Sequence, residues 1–542
     1  MGARRETSAD VQWLTERKDI LNKIKGQVRL YLGEEPSDIA LYAQAYKADI
    51  GRSWDVSLMD TLVQAIQESQ VVYGGDFHLF SQAQRTHLRI LRSVSGKRKL
   101  TLALECFFAE KQDVLDNYMD GLISESRFLE LVEWESLWGF PWKHYKPLVE
   151  FAKKEKIKLI GLNKKTQERS GETLGERDEF ASGVLVESMK SHPDSLHYVI
   201  FGDLHIAENH LPRCVGKAFG DPLKLKSVSV YLNSESIYFD LIEKGQDGDV
   251  EVVKFQDNQF CILSSPPWVK WQSYLMYLEE NFDSVLEDDD SDDWDQRVDH
   301  TDHVSSLVKM ICVGLNVEMK THDIEVYSLK DPQVLKMAKI HFSDEHYLLA
   351  HDLVQRDMSF FAPQKGFFYL SKSTVNHAAA LAGKFIHGKY SRRDRVLWDF
   401  PQDFLSLIWV ETMSFLLSKF VNPKRKAQTM NDLKKQLEAF DLEDKGREPL
   451  LLALDQKMSE LLQVYKNDTR NKKYSPTRKS SYVVAARFLG EMLGERYFLL
   501  YRGGLVSTEE ILFLLRQEVE NKGFHEFYFE QLKLLDKLEL EA

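Results

Sequence analysis

Two short apolar runs, far apart in the chain, end in the same polar frame. Val71-Val72-Tyr73 leads into Gly74-Gly75-Asp76-Phe77-His78, and Tyr198-Val199-Ile200-Phe201 leads into Gly202-Asp203-Leu204-His205. An apolar run of about four residues closed by Gly reads as a buried strand followed by a tight turn. Gly lets the backbone turn where a Cβ would clash. The Asp and the His then emerge just past the strand end. Packing alone gives little reason for two strands to deliver the same polar group to one sheet edge, so that edge is the expected functional site.

The surrounding pattern supports a sheet. Strands are expected at Val71–Tyr73, Lys99–Glu105, Ile157–Leu162 and His197–Phe201, with helices such as Gln82–Val94 and Glu176–Lys190 between them. This alternation predicts an α/β fold, a mainly parallel sheet flanked by helices. In such sheets ligands bind beyond the carboxyl ends of the strands. His78, Glu105, Asn163 and His205 all fall at or just after strand ends. Helices are expected over residues 8–30 and at Trp54–Gln67. From Lys226 the rhythm changes, and Val228–Leu232, Ser236–Phe239, Val250–Val253 and Gln259–Ile262 read as a meander of short strands.

The run Glu287–Asp295 is a block of like charge that repels itself and stays solvated, as a linker does. Beyond it the chain reads as mainly helical, with a capping box at Ser507–Glu510 opening an apolar helix. The expected domains are a helical extension at 1–68, an α/β domain at 69–285, an acidic linker at 286–299 and a mainly helical domain at 300–542. A chain of 542 residues exceeds one ordinary core, which agrees with this division.

Composition narrows the partners. The net charge of −13 argues against nucleic acid or an anionic membrane. The four cysteines form no Cys-x-x-Cys pair, which suggests a reducing compartment. No leader, lipid-bearing cysteine or long apolar run stands out, so a cytoplasmic protein without a membrane span is expected as written, or an envelope-associated one if a leader has been removed. A small-molecule ligand is the expected partner, and the sequence is compatible with a homodimer.

Two imidazoles and a carboxylate suit two kinds of chemistry. His78, Glu105 and His205 could ligate a divalent metal ion, or serve as general acid and base. They are expected to converge on one open hollow. Asp76 and Asp203 each precede a His by two residues; turn capping is the favoured reading, and orienting the imidazole is the alternative. Arg177 and Asp178 lie on a helix after the third strand, where Arg177 could grip an anion or form a structural ion pair. Farther on, His341, His346, His351, His377 and His387 read as structural or surface residues, with a second metal or haem site as the alternative.

These segments carry a family resemblance. Gly75-Asp-Phe-His78 with Gln84, Leu104-Glu105, Gln112-x-x-Leu-Asp-x-Tyr118-x-x-Gly121, Trp138-x-Phe140-x-Trp142-x-x-Tyr145, Leu162-Asn163, Arg177-Asp178 and Phe201-Gly-Asp-Leu-His205 resemble the ChaN-like haem-binding uptake proteins. That family shares a superfamily with Tiki-type proteases and erythromycin esterases. The resemblance covers roughly residues 65–265. It implies an α/β domain that binds haem, with a tyrosinate axial ligand supplied by Tyr118 or Tyr145, and a link to iron uptake. The wider superfamily implies a hydrolase, an esterase or peptidase, using His78, Glu105 and His205 with or without a metal.

Overall fold

The structure, a computed structural model, describes residues 8–541 except 167–168, 221–224, 257, 283–299, 322–323, 329–333, 357, 364–366, 373, 396–402, 442–443 and 467–474. The acidic run Glu287–Asp295 therefore lies outside the described residues. The chain divides into two compact units, one of Ile24–Leu278 and one of Met1–Lys23 with Glu279–Ala542.

The Ile24–Leu278 unit is α/β. After α1 (Ser8–Leu32), which contributes residues to both units, come α2 (Ser37–Ile50), β1 (Asp55–Ser57), α3 (Met59–Gln67), β2 (Val71–Asp76) and α4 (Ser81–Val94). Next are β3 (Leu100–Phe108), α5 (Gln112–Met119), α6 (Glu125–Leu131), α7 (Trp142–Lys154), β4 (Lys158–Asn163), α8 (Gly171–Ser191) and β5 (Leu196–Gly202). The unit closes with α9 (Leu211–Phe219), β6 (Ser227–Leu232), α10 (Glu235–Glu243), β7 (Val252–Lys254), β8 (Gln259–Ile262) and α11 (Pro267–Phe282). The eight strands form one sheet in the order β1-β7-β8-β6-β2-β5-β3-β4. All pairings are parallel except those of β7 with β1 and β8.

Strands β2, β3 and β5 are buried along their whole length, as expected of parallel strands covered on both faces. Val71, Val72, Leu102 and Val199 have no exposed surface; each such aliphatic side chain contributes on the order of 1.5–3 kcal/mol by leaving water. Gly74 and Gly75 lie inside β2 and not in a turn after it. They are needed for close approach: a Cβ on Gly74 would stand 2.5 Å from His87 Cε1, and one on Gly75 2.4 Å from Asp203 Oδ1.

The β2–β5 register carries a consequence for the site. Gly75 pairs with Phe201 and Asp76 with Gly202, so the two Gly-Asp-x-His frames are offset by one residue. Side chains alternate between faces along a strand. Asp76 and Asp203 therefore point to opposite faces of the sheet rim.

The region after Lys226 is not a simple meander. Val228–Leu232 lies in the parallel sheet as part of β6, and the expected strand at Ser236–Phe239 is part of α10, which buries Ile237, Tyr238 and Leu241 on one face. The helix expected at Trp54–Gln67 begins only at Met59, because Asp55–Ser57 pairs with β7.

The second unit is mainly helical. Its helices are α12 (Thr301–Gly314), α13 (Val334–His341), α14 (Asp344–Gln355), α15 (Val375–Tyr390), α16 (Phe404–Val421) and α17 (Met430–Ala439). They continue with α18 (Arg447–Lys466), α19 (Lys479–Arg502), α20 (Thr508–Leu515) and α21 (Phe524–Glu541). A three-stranded sheet of β9 (Glu325–Ser328), β10 (Phe360–Ala362) and β11 (Phe367–Leu370) accompanies them, in the order β10-β11-β9. The capping box forms as expected: Ser507 and Glu510 bond each other's backbone N–H at the start of α20.

By length and composition alone α16 is long and apolar enough to cross a membrane, although Glu411 and Lys419 interrupt its apolar run. It is almost wholly buried inside its own unit, packed between α15 and α19, and its charges are paired there. Glu411 holds Lys384 of α15 at 2.5 Å, and Lys419 holds Glu495 of α19 at 2.9 Å. These are features of a central core helix.

Candidate functional site

Three polar groups meet at the carboxyl ends of β2, β3 and β5. In the first, Asp76 ends β2 and accepts from three side chains. His78 Nδ1 is 2.9 Å from its Oδ2, the Tyr145 hydroxyl donates to Oδ2 at 2.7 Å, and Gln84 Nε2 donates to Oδ1 at 2.5 Å. Asp76 thus orients His78, and the capping reading is corrected. With Nδ1 engaged, Nε2 of His78 faces Glu105 Oε2 at 3.8 Å. The His78 ring packs against Trp138 and Phe140, with centroids 4.7 and 5.0 Å away.

The second group is centred on Glu105 of β3. Arg177 of α8 donates to Oε1, and the Gly202 N–H donates to Oε2 at 2.6 Å. Arg177 Nε also donates to Asn163 Oδ1 at 3.1 Å, at the end of β4. Arg177 is therefore the partner of Glu105, and two of its nitrogens are engaged from within the protein.

The third group is His205. Its Nδ1 is 2.7 Å from Asp178 Oδ1, and the Tyr42 hydroxyl donates to Asp178 Oδ2 at 2.5 Å while standing 3.0 Å from the same Nδ1. Tyr42 is a site residue that sequence reasoning missed. Its placement has a local cause. Asp38 of α2 accepts from the Gly171 N–H at 2.7 Å, at the start of α8, where a carboxylate suits the positive end of the helix dipole. One helical turn further along, Tyr42 meets Asp178. Its ring also stacks on His210 at 3.8 Å.

Gly202 is where the three groups converge. A Cβ there would lie 3.4 Å from Glu105 Oε2, 3.5 Å from His205 Cδ2 and 3.6 Å from His78 Cε1. His78, Glu105 and His205 thus border one small space that a side chain would fill. His78 is the partly exposed member, while Glu105 and His205 are buried.

Electrostatics separates their roles. Burial works against a charged His78, but the Asp76 hydrogen bond and the charges of Glu105 and Asp76 outweigh it, raising its pKa above the usual histidine value. Burial alone would favour a protonated Glu105; Arg177, His78, His205 and the Gly202 N–H reverse that and hold it as a carboxylate.

The two expected haem ligands lie in different surroundings. Tyr118 lies apart from the site: its hydroxyl donates to Glu150 at 2.7 Å, its ring stacks on Phe128, and Lys153 covers it. Tyr145 is buried and donates to Asp76. Burial and the neighbouring carboxylates push both phenols up. Trp134 is a core residue whose Nε1 donates to Phe140 O, whereas the rings of Trp138 and Phe140 pack against His78. Toward a metal, both Glu105 oxygens are already engaged, by Arg177 and by the Gly202 N–H, while His78 and His205 each have Nδ1 on a carboxylate. Among the described residues, no group of three or more His, Cys, Asp or Glu is arranged to hold a metal ion.

That statement covers the second unit too. There His387 is fully buried with both ring nitrogens unbonded, and burial holds its pKa down at about 3. Burial likewise pushes His377 down to about 3, and Thr374 Oγ1 lies 2.7 Å from its Nδ1. His346 and His351 lie on α14. Asp203, the remaining expected residue, does not touch His205; its Oδ1 is buried without a hydrogen-bond partner.

Residues 62–171 match the family model described as haem-binding uptake, Tiki superfamily, ChaN. Two solved structures are similar over part of the chain. One is ChaN of Campylobacter jejuni, described with cofacial haem binding; it is 16% identical over 33% of this chain and 87% of that one, with a TM-score of 0.27. The other is the type III effector HopBA1, 14% identical over 38% of this chain and 91% of that one, with a TM-score of 0.26. No curated protein matches the chain.

Proposed function

From the assignment of residues 62–171 to the ChaN-like branch of the Tiki superfamily, we propose that the α/β unit is a hydrolase of ester-type bonds. The observation that carries this reading is the pair of His–Asp dyads, His78–Asp76 and His205–Asp178, flanking the Glu105–Arg177 pair around the open side of Gly202. An imidazole oriented through Nδ1 by a carboxylate keeps Nε2 for proton transfer. His78 takes a proton from water as the water oxygen bonds to the carbonyl carbon. Glu105, held ionised, stabilises the imidazolium that forms. His205, its Nδ1–H held by Asp178 as that of His78 is by Asp76, keeps an Nε2 lone pair on the other side, where it accepts a hydrogen bond from the attacking water. When the ester C–O bond breaks, the proton on His78 passes to the leaving alcohol. The test is an ester and peptide panel on the full chain: H78A and H205A should each lose at least 100-fold in kcat/KM, and full activity in H78A would end the assignment.

A second reading keeps haem, with a link to iron uptake, and is supported by the description of the matched family model. On this reading Trp138 and Phe140 would offer the haem an aromatic surface, and His78 would be the side chain to hold its iron. Haemin titration followed at the Soret band separates the two readings. A band lost in H78A and kept in the Tyr118→Phe, Tyr145→Phe double variant favours haem at His78; no band in the wild type removes it. The hydrolase reading is the stronger, because it also gives the His205–Asp178 dyad a task.

A further inference from the structure

Each His–Asp dyad also carries a phenol. At His78, the Tyr145 hydroxyl donates to Asp76 and lies 3.3 Å from Nδ1. At His205, the Tyr42 hydroxyl donates to Asp178 Oδ2 at 2.5 Å and lies 3.0 Å from Nδ1. The two phenols come from unrelated parts of the chain. Tyr145 lies on α7, inside the segment matched to the family model, and Tyr42 lies on α2, ahead of it.

The Asp178 carboxylate is buried and uses both oxygens, Oδ1 on His205 Nδ1 and Oδ2 on Tyr42. Turning it about its Cβ–Cγ bond would strain both hydrogen bonds. With Nδ1–H committed to the carboxylate, the imidazole keeps its lone pair on Nε2.

Tyr42 is itself held in place. Its ring stacks on that of His210, the centroids 3.8 Å apart and the planes within 13°. Asp38, Tyr42, Tyr46 and Asp49 follow one another at helical spacing along one face of α2. Asp38 accepts from the Gly171 N–H at 2.7 Å, at the start of α8. Asp49 accepts from the Glu208 N–H at 2.8 Å and from the Tyr231 hydroxyl at 2.7 Å. A Cβ on Gly171 would stand 2.7 Å from the Asp38 carbonyl oxygen, so α2 and the start of α8 meet at backbone contact. Tyr42 thus projects from a helix pinned on both sides of it.

We propose that Tyr42 is a positioning residue of the hydrolytic site, acting through Asp178 to hold the His205 Nε2 lone pair toward the attacking water. The helix α2 is then a working part of the site. The catalytic consequence rests on the hydrolase reading; the positioning itself can be observed without substrate.

The test uses the full chain and two readouts. The first is the Nδ1 proton of His205, expected as a low-field magnetic resonance signal that H205Q removes. In Y42F the Asp178 carboxylate loses one of its two donors, so the remaining hydrogen bond should tighten and the signal move downfield. A tyrosine that only packed α2 would leave it in place. The second readout is hydrolysis of the ester that the wild type cleaves. Y42F should lower kcat at least tenfold and keep KM within about threefold, and it should add nothing in the H205A background, because it acts through that imidazole. The unfolding midpoint verifies that Y42F is folded. Absence of the signal in the wild type, an unmoved signal in folded Y42F, or the full Y42F loss repeated on top of H205A would overturn the assignment. If the signal moves while the wild type hydrolyses no ester, the hydrolase reading falls and Tyr42 still positions His205. If esters are hydrolysed and the signal stays, the hydrolase reading stands and the role of Tyr42 falls.

Discussion

The Tyr145 hydroxyl donates to the Asp76 carboxylate at 2.7 Å, on the same oxygen that faces His78 Nδ1. A phenol spent in this way supports an imidazole and is withheld from a metal. Y145F should therefore leave any haemin Soret band unchanged. It should cost about 1.5–3 kcal/mol of stability for a lost hydrogen bond to a charged group. Loss of the band in Y145F would restore Tyr145 as an iron ligand.

The raised pKa of His78 sets a pH dependence. As general base the imidazole must be neutral, so kcat/KM should fall as pH drops through this raised value. D76N removes the largest upward influence, so the acid limb should move to lower pH while the plateau rate drops. Stability runs the other way. A raised folded-state pKa contributes stability that is fully present below the unfolded value near 6.5 and is lost as pH rises through the folded value. Unfolding midpoints for wild type and D76N should thus converge above that range. An unmoved acid limb in D76N would show that His78 is not the titrating base.

Gly202 offers a steric test. Its added Cβ would make only ordinary contacts at 3.4–3.6 Å with Glu105, His205 and His78. G202A should fold with a stability within about 1 kcal/mol of wild type, the range of an uncrowded substitution. It should nevertheless lose at least 100-fold in kcat/KM, because the methyl occupies the space where water and carbonyl must meet. Wild-type turnover by folded G202A would move the reaction elsewhere.

In the helical unit, Lys384 and Glu411 form a buried pair at 2.5 Å. K384M alone strands a buried carboxylate and should cost about 3–5 kcal/mol, whereas the double variant K384M, E411L should recover most of that loss. Thermal unfolding of the wild type and the two variants measures the difference. Equal losses in the single and double variants would mean that the pair is not coupled.

Much of the site is legible in the sequence, for a physical reason. In a parallel sheet the strand ends carry the ligands, and apolar runs mark those ends at His78, Glu105, Asn163 and His205. Tyr42 leaves no such mark. It reaches Asp178 across 136 residues, from a helix whose apolar spacing is faint. The Ser236–Phe239 segment misleads because a short apolar run fits both periods; only the longer span through Leu241 shows the helical face. Gly74 and Gly75 signal a turn by composition, but the crowding that requires them comes from His87 and Asp203, which no local pattern reveals.

The one-residue offset between β2 and β5 means that the two matching frames differ in parity and are not interchangeable halves. One Asp steadies an imidazole; its counterpart looks away, toward the Lys270 ammonium on the far side of the same ridge. Deleting a single residue from β5 ahead of Gly202 would bring the frames into phase and turn the second carboxylate toward the first. The offset matters: frames in phase would crowd one flank with acid and leave the other bare.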